Sequence, residues 1–402
     1  MKRVILLVID SLGVGEMEDV VKVRPQDRGA NTLEHLAEVV RDFNIPVLES
    51  LGAGYLVDSR KIKRPAKPLG SYGKSRLAHF GADTYQGHQE IMGSKPQMPV
   101  EKPFLEYLDR VKGALEKVGY DIKVPDPEHP FLLVDGLVTV ADNIEADPGQ
   151  NYNVTAPLDY ISFEKEMAIG RIVRENVEVN RVIVLGGRNI TVKDILKSVE
   201  CKDKSFTGIN CPKSGVYRNG YMVRHLGYGV DPEVQVSTLL RREGYPVSLI
   251  GKMADIIECD GAEYLPAVET EKVMEFILQK MNSQHAGLIA ANVQETDLSG
   301  HAMDALKYAE RLMVADRYLN NVIERMKDQD MLIITGDHGN DPAICHSHHT
   351  REKALLLVYG KKLKAVDLGE RNTLSDIGAT VADYFGIQKP ENGVSFLMAL
   401  KP

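Results

Sequence analysis

Short apolar runs alternate with amphipathic segments of helical period through the second half of this chain. That alternation restricts the fold more than any other feature. Residues 247–250, 288–293, 331–334 and 354–359 read as strands, and residues 233–243, 269–281, 303–326 and 374–385 as helices. Strands that are apolar at successive positions are buried on both faces, and helices between them provide the crossovers of a parallel sheet. Residues 4–9 add another apolar run, which stops at Asp10, and Asn31 is placed to cap a helix starting at Thr32. At 402 residues the chain exceeds one ordinary core. The pattern breaks in the middle: residues 99–130 are rich in Pro, Lys and Asp, residues 142–157 contain a polar loop, and residues 201–230 are rich in Gly, Lys, Tyr and Arg. Strand signals at 131–134 and 181–185, with a helix near 158–173, make this stretch a small unit of its own. The expected fold is α/β. A doubly wound, mostly parallel sheet core comprises residues 1–97 and 226–402, and a smaller α/β cap domain is inserted at 98–225.

Several classes of function are disfavoured. No run is long enough to cross a bilayer. The apolar start is short and runs into Asp10, so it reads as a strand and not as a signal peptide. The formal net charge is −8 and there is no basic stripe, which argues against nucleic acid as a partner. Cys201, Cys211, Cys259 and Cys345 form no C-x-x-C pair and read as reduced thiols of a cytoplasmic protein, although Cys345 adjoins three histidines.

The chemistry concentrates where strands end. Asp10 follows one strand, Asp297 another, and Asp337-His338 a third. Open α/β sheets bind ligands at the carboxyl ends of their strands, so one crevice can collect all three. Clustered carboxylates repel one another unless a cation sits between them. Asp297 and His301 are four apart, which on a helical turn aims both at one point. Thr84 follows Asp83 at an expected helix start, where it is either a cap or a nucleophile. His346, His348 and His349 form either a solvated loop or a source of at least one ligand. Together these residues suffice for two ions, and a pair about 3.5–4 Å apart clamps both oxygens of a phosphoryl transfer.

At Asp10-Ser11-Leu12-Gly13-Val14-Gly15-Glu16, Gly87-His88-Gln89-Glu90-Ile91-Met92-Gly93, Gly251-Lys252-Met253-Ala254-Asp255, Asp337-His338-Gly339-Asn340-Asp341-Pro342 and His349-Thr350-Arg351-Glu352, the chain resembles the alkaline phosphatase superfamily of two-metal enzymes. Within it, the resemblance is to the phosphopentomutases, which move phosphate between C5 and C1 of ribose or deoxyribose. It covers most of both core segments and thins in the insert.

The resemblance implies one divalent ion on Asp10, Thr84, Asp337 and His338, and a second on Asp297, His301 and His349. Mn²⁺ is the implied ion, with Zn²⁺ and Mg²⁺ as alternatives, and a sugar bisphosphate is the implied activator. Thr84 would carry phosphate, Asp142 and Lys252 would contact substrate (Lys252 at the distal phosphate), and Arg218 and Arg224 are further candidates for that task. Gln86 and Gln89 replace a Thr and a Trp of the family pattern, and the Asp297–His301 spacing is one residue short and looks like that of cofactor-independent phosphoglycerate mutases. The alternatives are therefore a phosphatase or phosphodiesterase of the superfamily, another sugar-phosphate or phosphoglycerate mutase, and a non-catalytic binder of metal or sugar phosphate.

Overall fold

Every residue of the strand Arg3–Ile9 is buried, and its side chains divide with period two. Ile5, Leu7 and Ile9 enter an apolar layer with Leu36, Ile277, Leu312 and Leu319. Val4, Leu6 and Val8 enter a separate layer with Val236, Leu240, Ile377 and Val381. Helices Thr32–Val39, Thr270–Ser283 and Ala305–Arg325 supply the first layer, and Val236–Arg242 and Ser375–Phe385 the second. The sheet is therefore covered on both faces, as a doubly wound α/β fold requires.

The computed structural model describes residues 2–145, 148–202 and 205–402. These residues form two compact units, one running to Pro96 and resuming at Asp231–Pro402, the other Gln97–Val230. Among the described residues the first unit holds a nine-stranded sheet. Five neighbouring strands run parallel in the order Glu263–Leu265, Val247–Gly251, Gly287–Val293, Arg3–Ile9 and Asp330–Thr335. Glu352–Tyr359 comes next but runs antiparallel to Asp330–Thr335, so the parallel arrangement expected of it does not hold. Residues 336–351 contain no crossover helix, and a connection without one returns a strand antiparallel. Ser71–Ser75 and Asp367–Arg371 complete that edge, and Gly13–Glu16 pairs with Glu352–Tyr359. The segment 13–16 is thus strand.

The second unit has its own sheet, in the order Met222–Gly227, Arg181–Gly187, Asn151–Pro157, Val138–Asp142, Phe206–Ile209 and Val199–Lys202, with Ile122–Lys123 and Leu132–Val134 beside it. Helices Leu108–Val118 and Phe163–Glu175 share its core with Phe104, Tyr152 and Val184. Two expectations change here. The polar stretch 142–157 is strand at both ends, because Tyr152, Val154 and Ala156 alternate into the core while Asn151, Asn153 and Thr155 take the other face. Ala146 and Asp147 of that stretch lie outside the described residues. The helix expected from 158 begins at Phe163, where the Ser162 side chain accepts the Lys165 N–H. In the first unit, the helix expected at 233–243 is a 3₁₀ turn, Pro232–Val234, followed by Val236–Arg242.

Candidate metal centre

The strands Gly287–Val293, Arg3–Ile9 and Asp330–Thr335 are adjacent in the sheet, so their carboxyl ends share one edge. Asp10 follows the second directly, Asp337 stands just past the third, and Asp297 lies in the helix Glu295–His301 after the first. All three are buried. Ser11 adopts φ 65°, a left-handed conformation that costs a non-glycine residue on the order of 1 kcal/mol. It turns the Ser11 N–H onto Asp337 Oδ1 at 2.9 Å.

The helix Thr84–Ile91 delivers the hydroxyl. Asp83 is its cap, accepting the Gln86 N–H at 2.9 Å, which leaves Thr84 free as the first helical residue. Gly87 lets the helix approach, because a Cβ there would lie 2.7 Å from the Asp337 carbonyl oxygen. Thr84 Oγ1 then donates to Asp337 Oδ2 at 2.8 Å, lies 3.5 Å from Asp10 Oδ1, and receives a hydrogen bond from Lys252 Nζ at 3.0 Å. His338 completes this group. Its Nδ1 donates to the Gly339 carbonyl at 2.9 Å. Its buried Nε2 has no hydrogen-bond partner among the described residues and lies 3.2 Å from Asp337 Oδ2 and 3.6 Å from Asp10 Oδ1.

A second group stands beside it. Asp297 lies 3.4 Å from His301 Nε2 and 3.3 Å from His349 Nε2. The two imidazoles donate through Nδ1 to the carbonyls of Ser347 and Ala82 at 2.7 and 2.8 Å. A carbonyl only accepts, so each Nδ1 bears the hydrogen and each Nε2 a lone pair. Those two Nε2 atoms face each other at 2.9 Å. Two lone pairs at that distance repel unless a proton or a metal cation lies between them. Asp10, Asp297 and His338 lie close enough to one another to join the two groups.

The electrostatics agree. Burial opposes charge on His338, yet Asp337 beside it lifts the imidazole to about 10. Burial pushes Asp337 up, but His338 and His88 hold it well below the usual carboxylate range. Asp10 rises to about 6, through burial and then the charge of Asp337. Neighbouring buried carboxylates of this kind are a set whose charge a divalent ion would balance. Carboxylate oxygens mixed with imidazole nitrogens suit Mn²⁺ or Zn²⁺, and the donor set fits such ions.

The remaining expected residues go elsewhere. Lys252 opens the helix Lys252–Ile256 at the same sheet edge and stands 2.7 Å from Asp10 Oδ2 and 3.8 Å from Asp297 Oδ2. Its ammonium donates to Thr84 Oγ1 at 3.0 Å. Of the three loop histidines only His349 joins the cluster. His346 turns to Asp27 at 3.1 Å, and His348 is aligned with it through its backbone N–H. Cys345 is exposed. Asp142, Arg218 and Arg224 belong to the second unit. Asp142 is buried, its oxygens accept the N–H groups of Phe104 and Thr207, and burial lifts it to about 7. Arg218 is exposed, and Arg224 is half-buried on Met222–Gly227.

Other residues around the centre had not been singled out. His88 is buried, donates to the Thr84 carbonyl at 2.8 Å, and lies 3.2 Å from Asp337 Oδ2. Asn292 Nδ2 donates both to His88 Nε2 at 2.8 Å and to Asp10 Oδ2 at 3.0 Å. Asn340 Nδ2 donates to Asp297 Oδ1 at 3.0 Å. The Thr296 hydroxyl holds the Asp10 carbonyl at 2.8 Å. Arg351 pairs with Asp19 and donates to the carbonyls of His79 and Gly81, tying the segment after His349 to the one before Thr84. His88 was legible in principle, since it lies one helical turn from Thr84.

Comparison with known proteins places the chain. The PH0037 protein from Pyrococcus horikoshii is 15% identical, with 96% of this chain and 97% of that one covered and a TM-score of 0.46. A phosphoglycerate mutase from Leishmania mexicana is 11% identical, with 98% and 97% covered and a TM-score of 0.48. The profile of the metalloenzyme superfamily matches residues 2–389, and the chain belongs to that superfamily.

Proposed function

We propose that the protein is a phosphomutase, an isomerase that moves a phosphoryl group between C1 and C5 of ribose or deoxyribose phosphate through phospho-Thr84 and a sugar bisphosphate. The observation that carries this reading is the Thr84 hydroxyl, held between Asp337, Asp10 and Lys252 within two adjoining ligand groups. Asp10, Thr84, Asp337 and His338 would hold one divalent ion, and Asp297, His301 and His349 a second, Mn²⁺ by the resemblance. Such ions polarise phosphoryl oxygens and favour the ionised nucleophile. The hydrogen bond to Asp337 orients Thr84 before substrate arrives. Lys252 places a positive charge where the phosphoryl group joins Thr84.

A mutase must also keep water from phospho-Thr84. We assign that task to the inserted unit as a lid whose hinges are the two chain crossings, Pro96–Gln97 and Val230–Asp231; the expected second boundary at 226 falls inside the paired strand Met222–Gly227. Arg218 and Arg224 remain the candidates there for the phosphate that does not react.

Incubation with ribose 1-phosphate, Mn²⁺ and a sugar bisphosphate is expected to yield ribose 5-phosphate. Free phosphate without ribose 5-phosphate would make the protein a hydrolase. Thr84→Ala is expected to lose at least about 10³-fold in turnover. Wild-type turnover in that variant would remove Thr84 from the reaction.

A further inference from the structure

The second unit contains a cavity of about 420 Å³, apart from any metal ligand. It lies beyond the end of Arg181–Gly187, among residues of the short helices Val192–Leu196 and Cys211–Ser214 and the segment after them. Its volume suits a small metabolite. Three of its lining side chains are cationic, Lys197, Lys213 and Arg218, and one is acidic, Asp194.

The acid is hydrogen-bonded at its own helix start and keeps its charge, which acts on Lys197. Asp194 Oδ2 accepts the Thr191 N–H at 2.9 Å and the Thr191 hydroxyl at 2.6 Å, as half of a helix-capping pair. Lys213 pairs with Glu200, outside the lining, at 3.2 Å. Lys197 and the Arg218 guanidinium make no side-chain hydrogen bond and no ion pair among the described residues. The stem of Arg218 lies along Gly215 in the cavity wall, its Cδ 3.7 Å from where a Cβ would stand. Asn189 and Asn219 line the same space.

Three cationic residues against one acid leave the lining a net positive charge that an anion offsets. The flat fork of an arginine matches paired phosphoryl oxygens, and lysine adds a point charge. We propose that this cavity binds the phosphoryl group of a small phosphorylated metabolite, with Arg218 and Lys197 as its principal contacts. This deepens the assignment of Arg218 to substrate and to that extent rests on the phosphomutase reading.

The test is independent of the metal centre. Inorganic phosphate is titrated calorimetrically into the full chain after EDTA treatment. Arg218→Ala and Lys197→Ala are each expected to weaken binding by about five-fold or more, and the double variant by about thirty-fold or more, since both side chains are exposed and their loss costs little stability. Lys362→Ala, at an exposed lysine of the first unit, is expected to leave this binding unchanged. Equal affinities in the wild type and the double variant, or loss in Lys362→Ala alone, would overturn the assignment. Ribose 5-phosphate as a second titrant identifies the source: tighter binding than phosphate assigns the cavity to a sugar phosphate, and equal binding to the free anion. A failed titration beside an intact mutase assay would remove only the cavity, and the reverse result would remove only the mutase.

Discussion

The metal centre and the core of the inserted unit both bury acids, on opposite terms. Asp297 and Asp337 are held ionised at full burial because imidazoles surround them, and Asp10 has Lys252 at 2.7 Å. Glu166 has no such company. It replaces an apolar residue in the buried stripe Glu166, Ile169, Gly170 and Val173 of the helix Phe163–Glu175, and both its oxygens lack a hydrogen-bond partner among the described residues. Burial alone lifts it from 4.5 to about 8. Partners keep an acid charged and ready to ligate, whereas isolation keeps it protonated and inert. Burial by itself therefore does not mark a site.

The comparison breaks most visibly at Asp337. Asp337→Asn preserves shape and removes charge, so metal content and turnover are expected to fall together, turnover by at least about 10³-fold, with the far-ultraviolet circular dichroism unchanged. Elemental analysis beside the mutase assay checks this, and full metal content in the variant would contradict the ligand assignment.

The next effect is at Glu166. The unfolded chain releases this proton near 4.5 and the folded one near 8. Between those values the unfolded state binds fewer protons, so stability falls as pH rises, by on the order of 5 kcal/mol in all. Glu166→Gln is expected to flatten that slope. Glu166→Met is expected to raise the unfolding midpoint at pH 8 by roughly 5 °C or more. Thermal unfolding of EDTA-treated protein across pH 5–9 reads both, and parallel pH profiles for wild type and Glu166→Gln would show that Glu166 is ionised and solvated.

The smallest effect is at the supporting amide. Asn340→Ala frees Asp297 Oδ1 and is expected to weaken metal binding by roughly 10-fold. Chelator competition measures it, and an unchanged affinity would confine the centre to its direct ligands.

The core strands were legible because their apolar runs have no competing reading: residues 288–293 and 331–334 emerge within Gly287–Val293 and Asp330–Thr335. Asn31 also capped its helix as its chemistry predicts. The second unit was less legible. Asn151, Asn153 and Thr155 look like loop residues until neighbouring strands pair their backbone, and that pairing is not local. The direction of Glu352–Tyr359 was illegible for the same reason, since it depends on what the connection lacks. At the site, spacing on one element worked: Asp297 and His301 do share a helical face. Contacts between elements did not show in the sequence. Nothing local to Lys252 says that its ammonium will stop beside Thr84, and nothing local to His346 says that Asp27 will draw it aside.

The backbone carbonyls that fix the imidazoles have a consequence for ion choice. Rings pinned through main-chain oxygens cannot swing to suit a larger or smaller guest without breaking a bond to the scaffold. The carboxylates are held as well, Asp337 by the Ser11 N–H, Asp10 by Asn292 and Asp297 by Asn340. An ion of unsuitable radius would have to break one of these bonds on either kind of ligand, so such a cradle would discriminate by size instead of adapting to its guest.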